Sequence, residues 1–362
     1  MNPVRTSTGS SNGVKLLVVT QTIDQDDPIL GFFHGWVAAL ATRIESIESI
    51  EVICLRQGRH ALPANVHVHS LGKEKTRNRF LYVWRFWVFI WSLGRNYDRV
   101  LVHMNPEYLI LGGLDWWVMG KRVSFWYNHP HDDWRLRIAS WFAQKVFYTS
   151  PYAATAKMKK AIRMPAGIDT EVFKPQVAPH QRQRHALYMQ GRIMPSKRVD
   201  IALRALRLVR EKVRDAVLVL VGPEDVTYGK KLRDEFADLI HTKAVVFGGP
   251  EPYNMTPLLY SSYGISINLA ARGHYDKSVL ESIACGTPVV LSSHAFDEYN
   301  QNLKVVDVPN LFVTKDESAE SVSEMVLFVL ENYDRWDAER ARQIVVEKES
   351  LEALAAKLVK NL

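Results

Sequence analysis

Strand-length apolar runs alternate with helical patterns through almost the whole chain, and that alternation, interrupted once, leaves few folds open. In the first half the runs fall at residues 15–20 (KLLVVT), 51–55, 66–71, 99–103 (RVLVH), 122–127 (RVSFWY), 146–149 and 161–164. In the second they fall at 186–189, 216–221, 244–247 and 265–269, separated by helical spacings at about 199–213, 230–240 and 256–263. Strands separated by helices cross over and pair in parallel, so each half is expected to be a parallel sheet covered by helices, an α/β fold. Between the halves, residues 174–185 (KPQVAPHQRQRH) carry two prolines, several charges and no apolar period, the composition of a linker. The expected division is a polar tail at 1–13, one domain at 14–173, the linker, a second domain at 186–345, and a terminal helix at 346–362 that can pack back toward the first domain. A chain of 362 residues is long enough for two such cores.

Residues 264–290 (GISINLAARGHYDKSVLESIACGTPVV) hold one full β-loop-α-β unit. Ile265, Ile267 and Leu269 alternate with small or polar residues, and Asp276 stands where a helix N-cap belongs. Val279, Leu280, Ile283 and Ala284 supply the apolar face of the helix, Gly286 its stop, and a new strand begins at Pro288. In an open parallel sheet the loop at the carboxyl end of such a strand, beside a helix start, is where anionic ligands bind. Glu281 on the second turn is an acceptor suited to a vicinal diol such as a ribose; a solvated helix glutamate is the plain alternative.

The first run of the second half ends in GRIMPSKRVD. Gly191 permits a tight turn, Arg192 offers a planar fork of donors, and Lys197 adds a mobile point charge. A doubly wound sheet would set both cations beside the Glu281 helix, as a diphosphate requires; a solvated basic turn is the alternative. In the first half, a helix containing Leu30, Phe33, Trp36, Val37 and Leu40 starts near Gly31, which permits close approach of a phosphate or simply of a packed neighbour. Strand 99–103 delivers Asn105 to its carboxyl end, and NHPHDD delivers Asn128, His129 and His131 to the next. The histidines have no further ligands at recognisable spacing, so no metal site is expected, and Asp132 and Asp133 read as the N-cap region of the helix with Trp134, Ile138 and Trp141.

A composition 47% hydrophobic and 23% charged suits a soluble protein, and two cysteines, Cys54 and Cys285, read as buried free thiols in a reducing compartment. A net charge of +7 suggests an anionic partner. Nucleic acid is disfavoured, because the basic residues are dispersed and the aromatic ones fall on helix faces and core strands. No uninterrupted apolar run is long enough to cross a membrane, and residues 80–93 are broken by Arg85. Trp84, Trp87 and Trp91 share one face of that helix, just after Lys73, Lys75, Arg77 and Arg79. Core packing is the default explanation for such a face; contact with an anionic membrane surface through residues 73–95 is the alternative.

Taken together, GRIMPSKRVDIALRA, LVLVG ending at Gly222, VVFGG, VLESIACGTPVV and GIDTEVFKP resemble the glycosyltransferases of family 4, retaining enzymes of the GT-B fold, over nearly the whole chain. The resemblance implies two Rossmann-like parallel-sheet domains facing a central cleft, the second binding a nucleotide sugar. It further implies that Arg192 and Lys197 hold the donor diphosphate and Glu281 the ribose, with Gly31, Gly191, Gly222, Asp276, Lys277 and Ser278 also on the donor. His129, with Asn105, would face the transferred sugar and the acceptor, which makes Arg192, Lys197 and His129 the catalytic candidates. One departure is plain: the family's first glutamate of Glu-x7-Glu is replaced by Gly273, so Asp276 and Lys277 are expected to take over its polar contacts. The implied reaction moves a hexose from a nucleotide diphosphate to a hydroxyl of a saccharide or lipid-linked acceptor with retention, in glycan, glycolipid or surface polysaccharide synthesis. It needs no metal and no cofactor beyond the nucleotide sugar as co-substrate, and its expected setting is the cytoplasm or the inner face of a membrane. Two other classes stay open: a sugar-nucleotide epimerase of the same fold, and a nucleotide-binding member that has lost turnover.

Overall fold

The alternation folds into two parallel sheets, in a computed structural model that describes residues 13–27, 30–271, 273–297 and 311–362. The expected tail at 1–13 lies outside the described residues except for Gly13.

In the first unit the strands are β1 (Val14–Ile23), β2 (Ile47–Gln57), β3 (Val66–Ser70), β4 (Arg99–His103), β5 (Arg122–Trp126), β6 (Lys145–Tyr148) and β7 (Ala161–Arg163). They pair in the order β3-β2-β1-β4-β5-β6-β7, every neighbour parallel. The order reverses at β1, and right-handed crossovers then fix where the helices go. Helix α1 (Gly31–Arg43) lies on one face; α2 (Arg79–Ser92), α3 (Pro106–Val118) and α4 (Trp134–Phe142) lie side by side on the other. Phe86 and Ile90 of α2, Leu109 and Trp116 of α3, and Leu136 and Ala139 of α4 meet Leu17, Val19, Val100, Val102, Val123 and Phe125 of the sheet in one core. Asp133 caps α4 by accepting from the Leu136 N–H at 2.9 Å, as its position predicts. Trp84, Trp87 and Trp91, expected by default to pack in the core, are exposed instead. Spacing says that they share a face, but Phe86 and Ile90 form the opposite face, and that one meets the sheet.

The second unit has β8 (Gln183–Gln190), β9 (Val217–Val221), β10 (Val245–Gly249), β11 (Tyr263–Asn268), β12 (Val289–Leu291) and β13 (Leu311–Val313), all parallel, in the order β10-β9-β8-β11-β12-β13. Its helices are α5 (Val199–Lys212), α6 (Val226–Glu235), α7 (Ala237–His241), α8 (Thr256–Ser262), α9 (Lys277–Ala284), α10 (Ala319–Glu331) and α11 (Ala338–Glu349), while α12 (Leu351–Asn361) starts in this unit and ends in the first. Leu203, Leu206, Leu218, Leu220 and Val326 belong to one core, and Tyr188, Val219, Leu280, Ile283 and Ile344 to another, so the sheet buries both faces.

The boundaries differ from the linker reading. The second unit comprises Pro165–Leu354 together with Thr149–Ala153, while Ala355–Leu362 joins the first, where Arg99 donates to the Leu362 carbonyl at 3.0 Å. Residues 174–185 are held against the second unit: Arg182 donates to the carbonyls of Cys285 (2.7 Å) and Gly286 (2.5 Å) and to Thr287 Oγ1 (2.6 Å). The terminal helix expected at 346–362 is broken at Ser350, between α11 and α12. There the Ile168 N–H donates to the Glu349 carbonyl (2.8 Å) and the Leu351 N–H to the Ile168 carbonyl (2.9 Å), a strand-like pairing that amphipathic spacing does not reveal.

Candidate functional site

The second sheet reverses its order at β8: β9 lies on one side of it and β11 on the other, reached by crossovers of opposite direction. The switch point therefore lies beyond the carboxyl ends of β8 and β11, the place where open α/β sheets take ligands. The loops after these two strands carry the candidate residues.

After β8 the chain turns at Gly191, with φ +137°, its N–H donating to the Val221 carbonyl at 2.9 Å. Gly222, at the end of β9, has φ +144°, and a Cβ there would lie 2.0 Å from the Gly191 carbonyl oxygen. No L side chain fits at 222, so the two strand ends touch backbone to backbone. The Ile193 N–H and carbonyl bond to the Pro223 carbonyl and the Asp225 N–H, both at 2.9 Å, which fixes the basic loop to its neighbour. A 3₁₀ turn, Pro195–Lys197, and Arg198 in the left-handed region (φ 52°) then lead into α5. Arg192 is left exposed and Lys197 half-buried.

From the other side comes the loop after β11. Lys197 Nζ lies 2.5 Å from Asp276 Oδ2. Asn268 Nδ2 donates to that same oxygen at 3.2 Å and to Ser278 Oγ at 2.9 Å, and Asn268 Oδ1 accepts from the Ala270 N–H at 3.1 Å. Asp276 is the N-cap of α9 by position, yet its side chain makes no capping bond, because Lys197 and Asn268 take it. The positive end of α9 is therefore not covered by its own capping carboxylate.

Glu281 lies one turn deeper and is buried, with the Tyr253 hydroxyl donating to its Oε1 at 3.4 Å. Burial raises its pKa to about 7, against the pull of Lys277 one turn earlier. The Lys277 ammonium is itself buried, and burial drives its pKa well below the usual lysine range against the Glu281 and Glu349 carboxylates. The structure thus puts Lys277 in the interior beneath Asp276 and Ser278. Glu349, in turn, accepts from the Tyr275 hydroxyl at 3.1 Å and the Ala166 N–H at 2.6 Å. Gly273 lies beside residues 149–153: its carbonyl accepts from Ser150 Oγ at 3.0 Å, and an added Cβ would meet Tyr152 Cβ at 3.1 Å.

The remaining candidates gather in the first unit, at the carboxyl edge of its sheet. Gly31 opens α1, with its N–H on the Asp27 carbonyl (2.9 Å) and a would-be Cβ 3.1 Å from the Gln25 carbonyl oxygen. Asn105 sits at the N-cap of α3 without a side-chain capping bond. His129 follows β5, exposed, with its ring centroid 5.8 Å from that of Tyr127 and its carbonyl accepting from the Ala154 N–H. Asn268, Tyr253 and Glu349 were not among the sequence candidates, nor was His103, which stacks on Phe33 at 4.0 Å and meets Thr20 Oγ1 at 3.4 Å. Asn268 and His103 close the runs ISIN and RVLVH, and a polar residue ending a buried strand was the available signal; Tyr253 and Glu349 had none.

Residues 171–350 match the family described as glycosyl transferases group 1. The matched span takes in Gly191, Arg192, Lys197, Gly222, Asp276, Lys277, Ser278 and Glu281, and leaves Gly31, Asn105 and His129 outside. A D-inositol 3-phosphate glycosyltransferase of Acidothermus cellulolyticus is 31% identical over 143 residues, a match spanning 35% of this chain and 32% of that enzyme. Among solved structures, Anabaena HepE in complex with UDP has a TM-score of 0.75 at 18% identity, covering 96% of this chain and 99% of that one. Sucrose-phosphate synthase from Thermosynechococcus elongatus has a TM-score of 0.72 at 14% identity, covering 95% and 98%. At such identities the likeness is one of fold: two Rossmann-like parallel-sheet units of the GT-B kind.

Proposed function

We propose that the protein is a retaining glycosyltransferase that moves a hexosyl group from a nucleoside-diphosphate sugar to a hydroxyl of a saccharide or lipid-linked acceptor. The observation that carries this reading is the convergence of Lys197 and the start of α9 at the sheet's switch point, with the Glu281 carboxylate one turn below. A diphosphate has the charge to exchange with Asp276 for the Lys197 ammonium. Arg192, the adjacent exposed guanidinium, supplies a second, forked contact. When the bond from the sugar's anomeric carbon to the diphosphate oxygen breaks, these cations and the α9 amides meet the charge on the leaving group, an electrostatic role in which no metal or cofactor takes part. The acceptor oxygen bonds to the same face of that carbon, and its proton passes to the departing diphosphate, so configuration is kept. Glu281, when ionised, accepts from the ribose hydroxyls. The UDP bound to HepE, on the same fold, supports a nucleotide donor.

His129 and Asn105 serve the acceptor side in this reading, Gly31 a phosphate, and the products belong to glycan, glycolipid or surface polysaccharide synthesis in the cytoplasm. Release of nucleoside diphosphate from a panel of nucleotide sugars, with and without acceptor extract, tests it. One observation favours a second reading, nucleotide binding without turnover: Gly273 leaves no carboxylate at the first glutamate position, and Tyr152 crowds any side chain placed there. Under that reading a nucleotide binds but no diphosphate is released with any acceptor. An epimerase, by contrast, converts the donor alone.

A further inference from the structure

Helices α2, α3 and α4 form one layer, because the three crossovers that contain them run in the same direction across the sheet. Their sheet-facing sides are buried in the core of the first unit. Their other sides carry large apolar groups in the open: Phe80 (87% exposed), Trp84 (59%) and Trp91 on α2, Trp117 (70%) on α3, Trp134 and Trp141 (87%) on α4. Scattered exposed apolar residues are ordinary, but this many on one helical layer form a surface of another kind. The layer is tied together: Trp87 Nε1 donates to the Leu111 carbonyl (3.0 Å), Trp91 Nε1 to Asp115 (2.9 Å), and Arg135 pairs with Glu107 (3.0 Å).

The charges on this layer are lopsided. Its acids are engaged internally: Glu107 by Arg135, Asp115 by Trp91, Asp132 by Arg137 at 3.0 Å, and Asp133 as the cap of α4. At the start of α2, next to Phe80, Lys73, Lys75, Arg77 and Arg79 are all exposed and make no ion pair among the described residues. No described helix is long and apolar enough to cross a membrane. Indole and phenyl rings standing out of a rigid layer, with four exposed cations against the single carboxylate of Glu74 at its rim, suit the interface of an anionic bilayer, where rings sit at headgroup level and cations meet lipid phosphate.

We infer that the outer face of α2, α3 and α4 docks the protein flat on an anionic lipid surface. The inference extends beyond residues 73–95 to two further helices, and it stands independently of the glycosyl-transfer reading, since docking is measured without turnover. The test is flotation of the full chain with vesicles of phosphatidylcholine alone or mixed with phosphatidylglycerol, at low and high salt. Wild type floats with the mixed vesicles at low salt and is largely released at high salt. Trp117→Ser with Trp141→Ser lowers flotation roughly tenfold, as does changing Lys73, Lys75, Arg77 and Arg79 together to Gln. Should the double tryptophan variant lose its unfolding transition, Trp141→Ala alone carries the comparison. Absence of flotation by wild type, or flotation by the tryptophan variants equal to wild type, overturns the inference. So does a concentration-dependent dimer that the tryptophan changes abolish without any lipid binding, which assigns the face to a second copy of the chain.

Discussion

Lys197 holds one carboxylate in the structure, and the proposal needs it to exchange that partner for a diphosphate, so its role is open to a clean separation of rate from stability. The Lys197–Asp276 pair is partly exposed, and a pair of this kind contributes within about 1 kcal/mol to folding. Lys197→Ala is therefore expected to lower the transfer rate by about 10²- to 10³-fold, the scale for losing one group that stabilises the leaving charge. Its thermal unfolding midpoint stays near wild type. Glu281 gives a pH prediction with a definite sign. Its pKa lies near 7, so below that pH the carboxyl is neutral and a poorer acceptor for ribose hydroxyls, and above it is ionised. Donor affinity accordingly rises with pH through about 7 and then levels. Lys277 pulls that pKa down, so Lys277→Met moves the rise to higher pH, which titration of donor binding across pH measures directly. At this scale the sequence was partly legible. Arg192, Lys197 and Glu281 belong to compact motifs whose spacing fixes their place at strand and helix ends. Tyr253 comes from a turn 28 residues before Glu281, and Glu349 from a helix end far along the chain; no local pattern joins them.

Among elements, the strand ends at Gly191 and Gly222 set the reach of the basic loop. Gly222→Ala forces a Cβ onto the Gly191 carbonyl at a φ that L residues avoid, and is expected to cost at least about 2 kcal/mol, read as a lowered unfolding midpoint in urea. The alternation of strands and helices was legible because buried parallel strands are short runs of branched residues and each helix shows its period. Which face of α2 is inside was not legible. Both faces are apolar, and the sheet takes Phe86 and Ile90 while Trp84, Trp87 and Trp91 remain outside. The break at Ser350 was hidden for a related reason: helical spacing continues through it, and the interruption comes from backbone pairing with Ile168, distant in sequence.

Over the whole molecule, chain order and unit membership do not coincide, since Thr149–Ala153 packs with the second unit and Ala355–Leu362 with the first. A division read from composition, with a linker at 174–185, follows polarity, whereas the units follow contacts such as those Arg182 makes at the end of α9. The second unit holds Arg192, Lys197, Asp276 and Glu281 together, so the binding half of the proposed chemistry is testable without knowing the acceptor. The most direct measurement is nucleoside diphosphate release from a panel of nucleotide sugars by wild type and Lys197→Ala, each supplied with membranes and saccharide extract. The account predicts release from at least one donor by wild type, dependent on acceptor, and its near loss in a folded Lys197→Ala variant; equal release by the two proteins, or none from any donor, would contradict it.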